Sequence, residues 1–303
     1  MVRHRVSAPL GASLIVGSSV LYASYGVWTT LMGDFFGGGY ATSALRSALV
    51  LAIFVGAAAV TGQMGGFSLR TKWRWWAGAL GASVLMWGPF YYAILHEGIG
   101  VALSMNYGAY IVGTFAFARI VLRERFTKDK WLATGLSFAG LYLLFTPNLA
   151  AVGWVALGAA CVSGVSFGAI NIVLKGAPYG VMKSNVMMWS TSLVANILMA
   201  VVVGQRVPAA GWDVRWVFLG LFAISSIVSS LMYVGGLKLI EAGAAGVLGL
   251  LEVVFGLVLG VVSFGQHVTI IALVGVVFIL GAAAIPYVKD YNARRGTLEG
   301  AKS

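Results

Sequence analysis

Long apolar runs alternate with short polar segments along almost the whole chain. A helix needs about 20 mainly apolar residues to cross the hydrocarbon core of a membrane. The first run is too long for the apolar region of a cleavable signal peptide, so we interpret it as a retained helix. The pattern predicts ten transmembrane helices, near residues 11–32, 40–61, 74–95, 99–119, 130–146, 151–174, 185–204, 215–237, 243–264 and 268–288.

Composition supports a membrane location. Of the 303 residues, 60% are hydrophobic and 10% are charged, whereas a typical soluble domain has about 45–50% apolar and about 25% charged residues. Such a chain cannot cover a soluble particle with polar side chains, so we predict an all-α, multi-pass integral membrane protein. The single cysteine, Cys161, excludes an intrachain disulfide and a Cys-based metal site. We predict neither a metal nor a cofactor.

Lysine and arginine are unequally distributed between the two sides that ten crossings define. Seventeen of the 20 lie on one side, Arg206 and Arg215 lie on the other, and Arg46 falls within the second run. Cytoplasmic loops carry the excess of positive charge, so both termini are predicted to be cytoplasmic, in a cell inner (plasma) membrane. The net charge of +11 thus follows from membrane topology. Its partner is anionic lipid, and it requires no nucleic acid.

The two halves of the chain resemble each other weakly. SYG at 24–26 recurs as SFG at 166–168, and the GxxF pattern at 135–138 recurs at 275–278, with offsets of 142 and 140 residues. Because five crossings is an odd number, the second half enters from the opposite face, as in the inverted repeats of secondary transporters. We predict a first five-helix repeat, a second, inverted five-helix repeat and a cytoplasmic tail, at residues 1–148, 149–288 and 289–303.

Three stretches resemble the EamA-type members of the drug/metabolite transporter superfamily. RERFTKDKWLATGLSFAGLYLL (123–144) is similar to the end of the family's fourth helix, which carries a glutamate, with the basic loop and fifth helix that follow. YATSALRSALVLAI (40–53) is similar to the second helix, and LGLLEVVFGLVLGVVSFGQ (248–266) to the ninth, where a glutamate is common at the position of Glu252. Two departures are the missing prolines of the fourth and ninth helices and Gln266 in place of a second glutamate.

The resemblance covers essentially the whole chain. It implies ten helices packed as a basket, with helices 1, 3, 4, 6, 8 and 9 around a central cavity. It also implies export of amino acids or related small metabolites from the cytoplasm. One branch of the family exports aromatic amino acids, and this chain is a candidate for that branch.

Glu252 is a single carboxylate in the apolar stretch VLGLLEVVFGLVLG (247–260). A charge at that depth costs roughly 2.5–3.5 kcal/mol on insertion scales, so such a group usually faces a cavity or a partner. Two interpretations are open. Glu252 is either a proton-coupling site or anchor for a substrate ammonium, or a neutral, hydrogen-bonded acid that holds two helices together.

Arg46 is the second charge inside a predicted span. It lies nearer the outer end of its helix, where its long side chain could reach the interface. A structural role, pairing with a backbone carbonyl or with Asp34, is favoured over binding of a substrate carboxylate, which stays open.

The segment WGPFYY (87–92) combines a predicted kink with aromatic side chains. Pro89 removes a backbone hydrogen bond and Gly88 loosens the same turn, while Trp87 and Tyr91 lie four residues apart on one face. This predicts a movable cavity wall, the alternative being an ordinary kinked and packed helix.

Several spans carry polar or hydroxyl-bearing side chains that need partners inside a membrane. Aromatic rings with hydroxyl groups suit a substrate with an apolar or aromatic body and one polar end. The predicted cavity residues, besides Trp87, Tyr91 and Glu252, are Tyr22, Asn106, Tyr107, Tyr110, Ser229 and Tyr233, with Tyr25 on the same helix as Tyr22.

The sequence has no phosphate-binding loop, no HExxH motif and no nucleophile elbow, so ATP-driven and hydrolytic chemistry have no support. We therefore predict no enzyme, but a transporter of a small-molecule substrate, monomeric or homodimeric, that works by alternating access. The alternatives are a channel-like pore, although no ring of like charge is evident, and a non-transporting membrane scaffold.

Overall fold

The computed structural model describes residues 3–63, 65, 69–125, 127–145, 153–206 and 211–299. Every regular element within these ranges is helical, as expected where a membrane-spanning backbone must satisfy its own hydrogen bonds. In chain order the helices are α1 (Arg3–Met32), α2 (Gly39–Val60), α3 (Leu69–Val121), α4 (Lys128–Phe145), α5 (Trp154–Gly176), α6 (Val181–Val203), α7 (Arg215–Leu239), α8 (Ala242–Gly249), α9 (Leu251–Phe264) and α10 (Ile270–Glu299).

Helix α3 contains two of the predicted spans and folds back on itself. The Ser163 hydroxyl of α5 donates to the carbonyl oxygen of Met86 at 2.6 Å and accepts from the Asn106 amide at 2.7 Å. Twenty residues of straight helix would separate Met86 from Asn106 by about 30 Å, so the two segments must lie side by side. We call residues 69–93 the first arm of α3 and residues 102–121 its second arm.

The predicted span 243–264 is divided at Leu250 into α8 and α9. The Leu250 N–H donates to the carbonyl of Val247 and the Val253 N–H donates to that of Leu250, at 3.2 and 3.0 Å, which are the i→i−3 bonds of a tighter turn. Leu250 keeps right-handed helical angles, so α9 continues in the general direction of α8. Glu252 lies in the first turn of α9, directly after the tightened turn.

Small residues allow the helices to approach closely. A side chain at Gly164 of α5 would collide with the backbone of the second arm of α3, and Gly140 of α4 and Gly275 of α10 contact each other's backbones. Such contacts favour helix association in a membrane, where the lipid is as apolar as the helix surface. Gly135, which the sequence repeat pairs with Gly275, faces open space instead.

Four helix pairs form most of the packing. Helix α1 packs on α7, α2 on α6, α4 on α10, and both arms of α3 on α5. Helices α8 and α9 pack against α1, and α8 also packs against α3, where Gly243 and Gly246 meet Phe115 and Thr114 of the second arm.

Six of the described helical segments are long and apolar enough to cross a membrane, which confirms a multi-pass integral membrane protein. These segments are Ala8–Met32, Gly39–Val60, Trp154–Gly176, Val181–Val203, Arg215–Leu239 and Ala242–Phe264, and Ile270–Ile285 is a shorter apolar helix. The predicted boundary between residues 148 and 149 lies outside the described residues. Helix α10 continues through residues 289–299, which the sequence assigned to a separate tail.

Basic residues from several loops lie at the same end of the molecule, which we call the basic end. The Lys175 ammonium donates to the carbonyls of Leu237 and Ile240, and the Lys72 ammonium lies 4.7 Å from the centre of the Tyr179 ring. The opposite end carries the start of α2, the end of α6 and the start of α7. Charges that are far apart in sequence are thus collected on one face.

Candidate functional site

Five tyrosines surround Glu252 where α1, α3, α7 and α9 meet, and we call them the tyrosine cluster. Each of them is close enough to Glu252 to interact with it electrostatically, and the Tyr107 side chain lies within hydrogen-bonding reach of the Glu252 side chain. Glu252 is nevertheless partly exposed. Because these neighbours lie on three other helices, its carboxylate borders an internal space. The cluster consists of Tyr22, Tyr25, Tyr107, Tyr110 and Tyr233.

The hydroxyl groups of the cluster form a connected polar network. The Tyr110 and Tyr233 hydroxyls are 3.4 Å apart, and the Asn171 amide of α5 donates to the Tyr110 hydroxyl at 3.1 Å. The Tyr22 ring contacts the rings of Tyr25 and Tyr233 edge-on, with centroids 5.1 and 5.8 Å apart. The buried oxygen of the Asn171 amide has no hydrogen-bond partner, so a ligand N–H or a water molecule has an acceptor here.

Arg46 lies beside the tyrosine cluster, against three aromatic rings that we call the Arg46 cage. The guanidinium carbon is 4.9 Å from the ring centre of Tyr25, 5.4 Å from that of Trp189 and 4.3 Å from that of Phe222. Cation–π contacts of this kind are each worth about 0.5–2 kcal/mol. The predicted pairing with Asp34 is not observed, because aromatic faces from α1, α6 and α7 surround the guanidinium instead.

Serines of α7 hold the rings at this site. The Tyr25 hydroxyl and the Ser229 hydroxyl are 3.1 Å apart, and the Trp189 indole N–H donates to the Ser230 hydroxyl at 3.2 Å. Ser229 thus lies in the predicted region, although it contacts Tyr25 rather than its helix neighbour Tyr233. Ring positions fixed by hydrogen bonds give the site a defined shape.

The backbone of Trp87 and the Tyr91 ring lie at the opposite end of the molecule, beside Tyr40 at the start of α2. The Tyr40 hydroxyl donates to the carbonyl of Trp87 at 2.8 Å, and the Tyr40 and Tyr91 rings are 4.7 Å apart. The Gln205 amide also donates to the Tyr91 hydroxyl at 3.5 Å. These residues therefore form a contact between α2, α3 and the end of α6.

Gly88 and Pro89 line an apolar cleft on the outside of the bundle, with a volume of ≈ 450 Å³. Met199 of α6 lies against Gly88 and lines the same cleft. The cleft is separate from the tyrosine cluster, so these two residues do not line the space that Glu252 borders. Their predicted role in gating stays a prediction.

Asn106 has its hydrogen-bond partner outside the tyrosine cluster. It is buried and donates to Ser163, whose hydroxyl links it to the first arm of α3. The structure therefore separates the predicted set. Tyr22, Tyr107, Tyr110, Ser229, Tyr233 and Glu252 come together, whereas the contacts observed for Gly88, Pro89, Tyr91, Asn106 and the Trp87 backbone are with other residues.

Three residues of the site were not singled out from the sequence: Asn171, Trp189 and Phe222. Asn171 carried a usable signal, since it is an amide within the apolar run SFGAINIVL and buried polar groups need partners. Trp189 and Phe222 carried none, because a single aromatic residue in an apolar span most often packs against neighbouring helices.

The arrangement suits binding rather than bond-breaking chemistry. It offers one carboxyl group, one guanidinium and several neutral hydroxyl groups between aromatic faces. Among the described residues no group of three or more His, Cys, Asp or Glu side chains could hold a metal ion.

Comparison with known proteins gives independent evidence on the fold and the family. An uncharacterized transporter from Archaeoglobus fulgidus is 26% identical to this chain over 173 residues, which are 55% of this chain and 60% of that relative. The match thus spans less than two thirds of the relative's length. A protein of known crystal structure superimposes with a TM-score of 0.75 over 94% of this chain and 98% of its own, at 18% identity. Likeness at that identity establishes the fold alone.

A family model matches the second half of the chain. It is that of the EamA-like transporter family, and it covers residues 154–287, from the start of α5 into α10. The family resemblance predicted from the sequence is thereby confirmed for residues 154–287, which match the EamA-like transporter family of the drug/metabolite transporter superfamily.

Proposed function

We propose that this protein is a secondary active or facilitative transporter that exports amino acids or related small metabolites by alternating access. Amino acids with apolar or aromatic side chains are the favoured substrates. The observation that carries the proposal is the contact of Glu252 with the tyrosine cluster, because it puts an ionisable group beside an aromatic, hydroxyl-rich internal space.

The pairing of helices supports two inverted five-helix repeats. Counting the two arms of α3 as separate crossings, and α8 with α9 as one, gives ten. Moving five crossings along the chain converts the contact of α1 with α7 into that of α5 with the first arm. The same shift converts the contact of α1 with α8 and α9 into that of α5 with the second arm, and it maps the α2–α6 and α4–α10 pairs onto themselves. Such a pattern is expected of two equivalent halves related by a twofold axis.

The position of the site agrees with this architecture. Tyr22, Tyr107 and Tyr110 come from the first half of the chain, and Tyr233 and Glu252 from the second. Substrate sites of inverted-repeat transporters lie at the repeat interface near the middle of the membrane, often beside an interrupted helix. The tightened turn at Leu250, just before Glu252, is such an interruption.

The distribution of charge sets the proposed orientation. With the basic end in the cytoplasm, both termini are cytoplasmic and transport proceeds from the basic end to the opposite end of an inner membrane. The transporting unit is a monomer or a homodimer.

Reconstitution would test the transport function. The full chain is placed in liposomes loaded with labelled amino acids, and efflux and its stimulation by external substrate are measured. We expect saturable counterflow. Ohmic conductance would identify a channel, and absence of flux for every amino acid and related metabolite tried would leave a scaffold.

The role of Glu252 is tested by Glu252→Gln, with Glu241→Gln at the exposed basic end as the matched control. If Glu252 carries a coupling proton, the variant transports without the pH dependence of the wild type. If it binds the substrate ammonium, the variant keeps the pH profile and loses affinity for amines. Wild-type affinity together with a wild-type pH profile would reduce Glu252 to a structural acid.

A further inference from the structure

Arg46 is a buried charge without an acceptor. The residue is 3% exposed, its Nε atom has no hydrogen-bond partner, and none of the ion pairs among the described residues includes it. Arginine stays charged under all physiological conditions, so burial cannot be relieved by loss of its proton. An unpaired buried cation of this kind is costly.

We infer that the Arg46 cage is the subsite for the carboxylate group of the transported molecule. The inference rests on the proposed transport function and narrows its substrates to apolar or aromatic carboxylic acids, amino acids among them. A carboxylate is the partner that the site lacks, because a guanidinium presents its N–H groups as a fork that matches two carboxylate oxygens.

The rings of the cage satisfy only part of what the guanidinium requires. Aromatic faces attract the positive charge, but they do not replace the oxygen acceptors that five N–H donors need. Tyr25 and Trp189 are hydrogen-bonded to Ser229 and Ser230 of α7, so the walls are fixed before a ligand arrives. A preformed site loses less conformational freedom on binding.

The cage adjoins the space at Glu252. The Tyr25 ring, which lies 4.9 Å from the Arg46 guanidinium, contacts the Tyr22 ring at 5.1 Å, and both rings are close enough to Glu252 to interact with it electrostatically. Tyr25 is partly exposed, whereas Trp189 and Phe222 are buried, which leaves the α1 side of the cage as the way in. A carboxylate at Arg46 therefore places the rest of the substrate along the tyrosine cluster.

The test measures binding of matched acid and amide pairs to the purified full chain. Each pair has the same shape and differs in the charge: 3-phenylpropionate and 3-phenylpropionamide, L-phenylalanine and L-phenylalaninamide, and indole-3-acetate and indole-3-acetamide. Dissociation constants are obtained by equilibrium dialysis of labelled ligands, with thermal stabilisation as a second readout. We expect every acid that binds to do so at least about tenfold more tightly than its amide, since hydrogen bonds to charged groups are stronger than those between neutral groups.

Three variants connect this preference to Arg46. Arg46→Gln is expected to abolish the difference between acid and amide, and Arg46→Lys, which keeps the charge but loses the fork, is expected to retain only part of it. Arg215→Gln is the matched control, because Arg215 also lies over a ring, that of Phe35 at 4.2 Å, but is already paired with Asp213 at 2.9 Å. It should leave the preference unchanged.

Failure of the inference and failure of the proposed function are distinguishable. Equal binding of acids and amides, binding of no acid in the panel, or an acid preference that survives in Arg46→Gln would overturn the inference. If Arg46→Gln does not fold, the acid–amide comparison on the wild type and Arg46→Lys still decides it. If acids bind in an Arg46-dependent way but no flux is measured, the transport proposal is refuted and the subsite is not. If flux is measured but depends neither on the substrate carboxylate nor on Arg46, the subsite is refuted and transport is not.

Discussion

The two ends of the molecule are held together by different kinds of contact. At the basic end, charged side chains cross between helices. The Glu124 carboxylate accepts from the backbone N–H groups of Ala242 and Gly243, at 2.8 and 3.4 Å, and so caps the N-terminus of α8. Lys130 bridges Glu124, at 3.9 Å, to Glu241, at 2.9 Å.

Two lysines at the basic end cap each other's helices. Lys175 of α5 donates to the last carbonyls of α7, and Lys238 of α7 donates to the carbonyls of Leu174, at 2.9 Å, and Ala177, at 3.4 Å, at the end of α5. A cation at a helix C-terminus satisfies free carbonyls and interacts favourably with the helix dipole. The basic end is thus closed by charged contacts.

At the opposite end the contacts between helices are neutral. The Gln205 amide oxygen accepts from the backbone N–H groups of Tyr40, at 2.9 Å, and Ala41, at 3.1 Å, at the start of α2. The described ion pair there, between Arg215 and Asp213, joins residues two positions apart and crosses between no helices. Charged contacts thus close the basic end, whereas neutral hydrogen bonds and ring contacts close the opposite end.

Removal of both lysine caps should have the largest effect on the contacts that close the basic end. In Lys175→Met with Lys238→Met, four carbonyl contacts are lost, and hydrogen bonds to charged groups contribute about 1.5–3 kcal/mol each. We expect the basic end to open at least about tenfold more often. The reporter is Ser19→Cys in a Cys161→Ser background, since Ser19 is 1% exposed beneath the basic end, against Leu248.

In that experiment, the rate of labelling by a membrane-impermeant maleimide applied from the basic side is measured. Lys128→Met, which removes an exposed charge from the same end, serves as the control and should label at the wild-type rate. Equal labelling of the double variant and the control would mean that the lysines do not hold this end closed.

Loss of the Glu124 charge should have the next largest effect. Glu124→Gln keeps one side-chain oxygen but removes the charge at the N-terminus of α8, where a capping side chain contributes about 0.5–2 kcal/mol. We expect labelling of the Ser19→Cys reporter to rise by a few-fold to about tenfold. Glu241→Gln should change it little, because the Glu241 side chain is 58% exposed and exposed ion pairs contribute about 0–1 kcal/mol. Equal responses of the two variants would contradict the capping role.

A substitution at the opposite end sharpens the contrast. Gln205→Ala removes the acceptor for two N–H groups of α2, which we expect to cost about 0.5–1 kcal/mol and to lower the thermal unfolding temperature slightly. High salt should leave the effect of Gln205→Ala unchanged while reducing that of Glu124→Gln, because salt screens charges and not neutral hydrogen bonds. Both measurements are thermal unfolding curves at low and high ionic strength, and a common salt response would remove the distinction between the ends.

Asp213 should show the smallest effect, and it depends on pH. The backbone N–H and the guanidinium of Arg215 hold the pKa of Asp213 below its ordinary value of 3.8. A carboxyl group with a lowered pKa stabilises the folded state above its ordinary pKa, and the contribution is lost as the pH falls through the lowered value. Asp213→Asn should therefore unfold slightly earlier than the wild type near pH 7, and the difference should shrink below the ordinary value and disappear in acid below the lowered value. A difference that persists there would assign the effect to something other than charge.

The sequence predicted the helices better than it predicted their partners. The apolar runs placed most helix ends to within a few residues, although α1 begins earlier and α10 ends later than predicted. The charge alternation anticipated that Lys72, Lys175 and Lys238 lie at one end. Both follow from local properties, namely the length of chain that crosses a bilayer and the exclusion of charge from it. The divided helix at Leu250 was not predicted, because the residues on either side of it are uniformly apolar.

The candidate site was predicted in part. Tyrosines and Glu252 were found because a hydroxyl or carboxyl group in an apolar span requires a partner, whichever helix supplies it. The same reasoning included Asn106, whose partner is Ser163. Trp87 was included as an aromatic residue beside the predicted kink, and its carbonyl accepts from Tyr40. A sequence indicates that a buried polar group has a partner without identifying the helix on which the partner lies.

Sequence alone determined that this chain spans a membrane many times and that Glu252 and Arg46 need a reason to be inside it. Tertiary structure decided that the five tyrosines meet at Glu252, and that Arg46 faces rings rather than Asp34. The physical reason is that hydropathy and charge act on each segment separately, whereas contacts depend on which helix faces are brought together by packing.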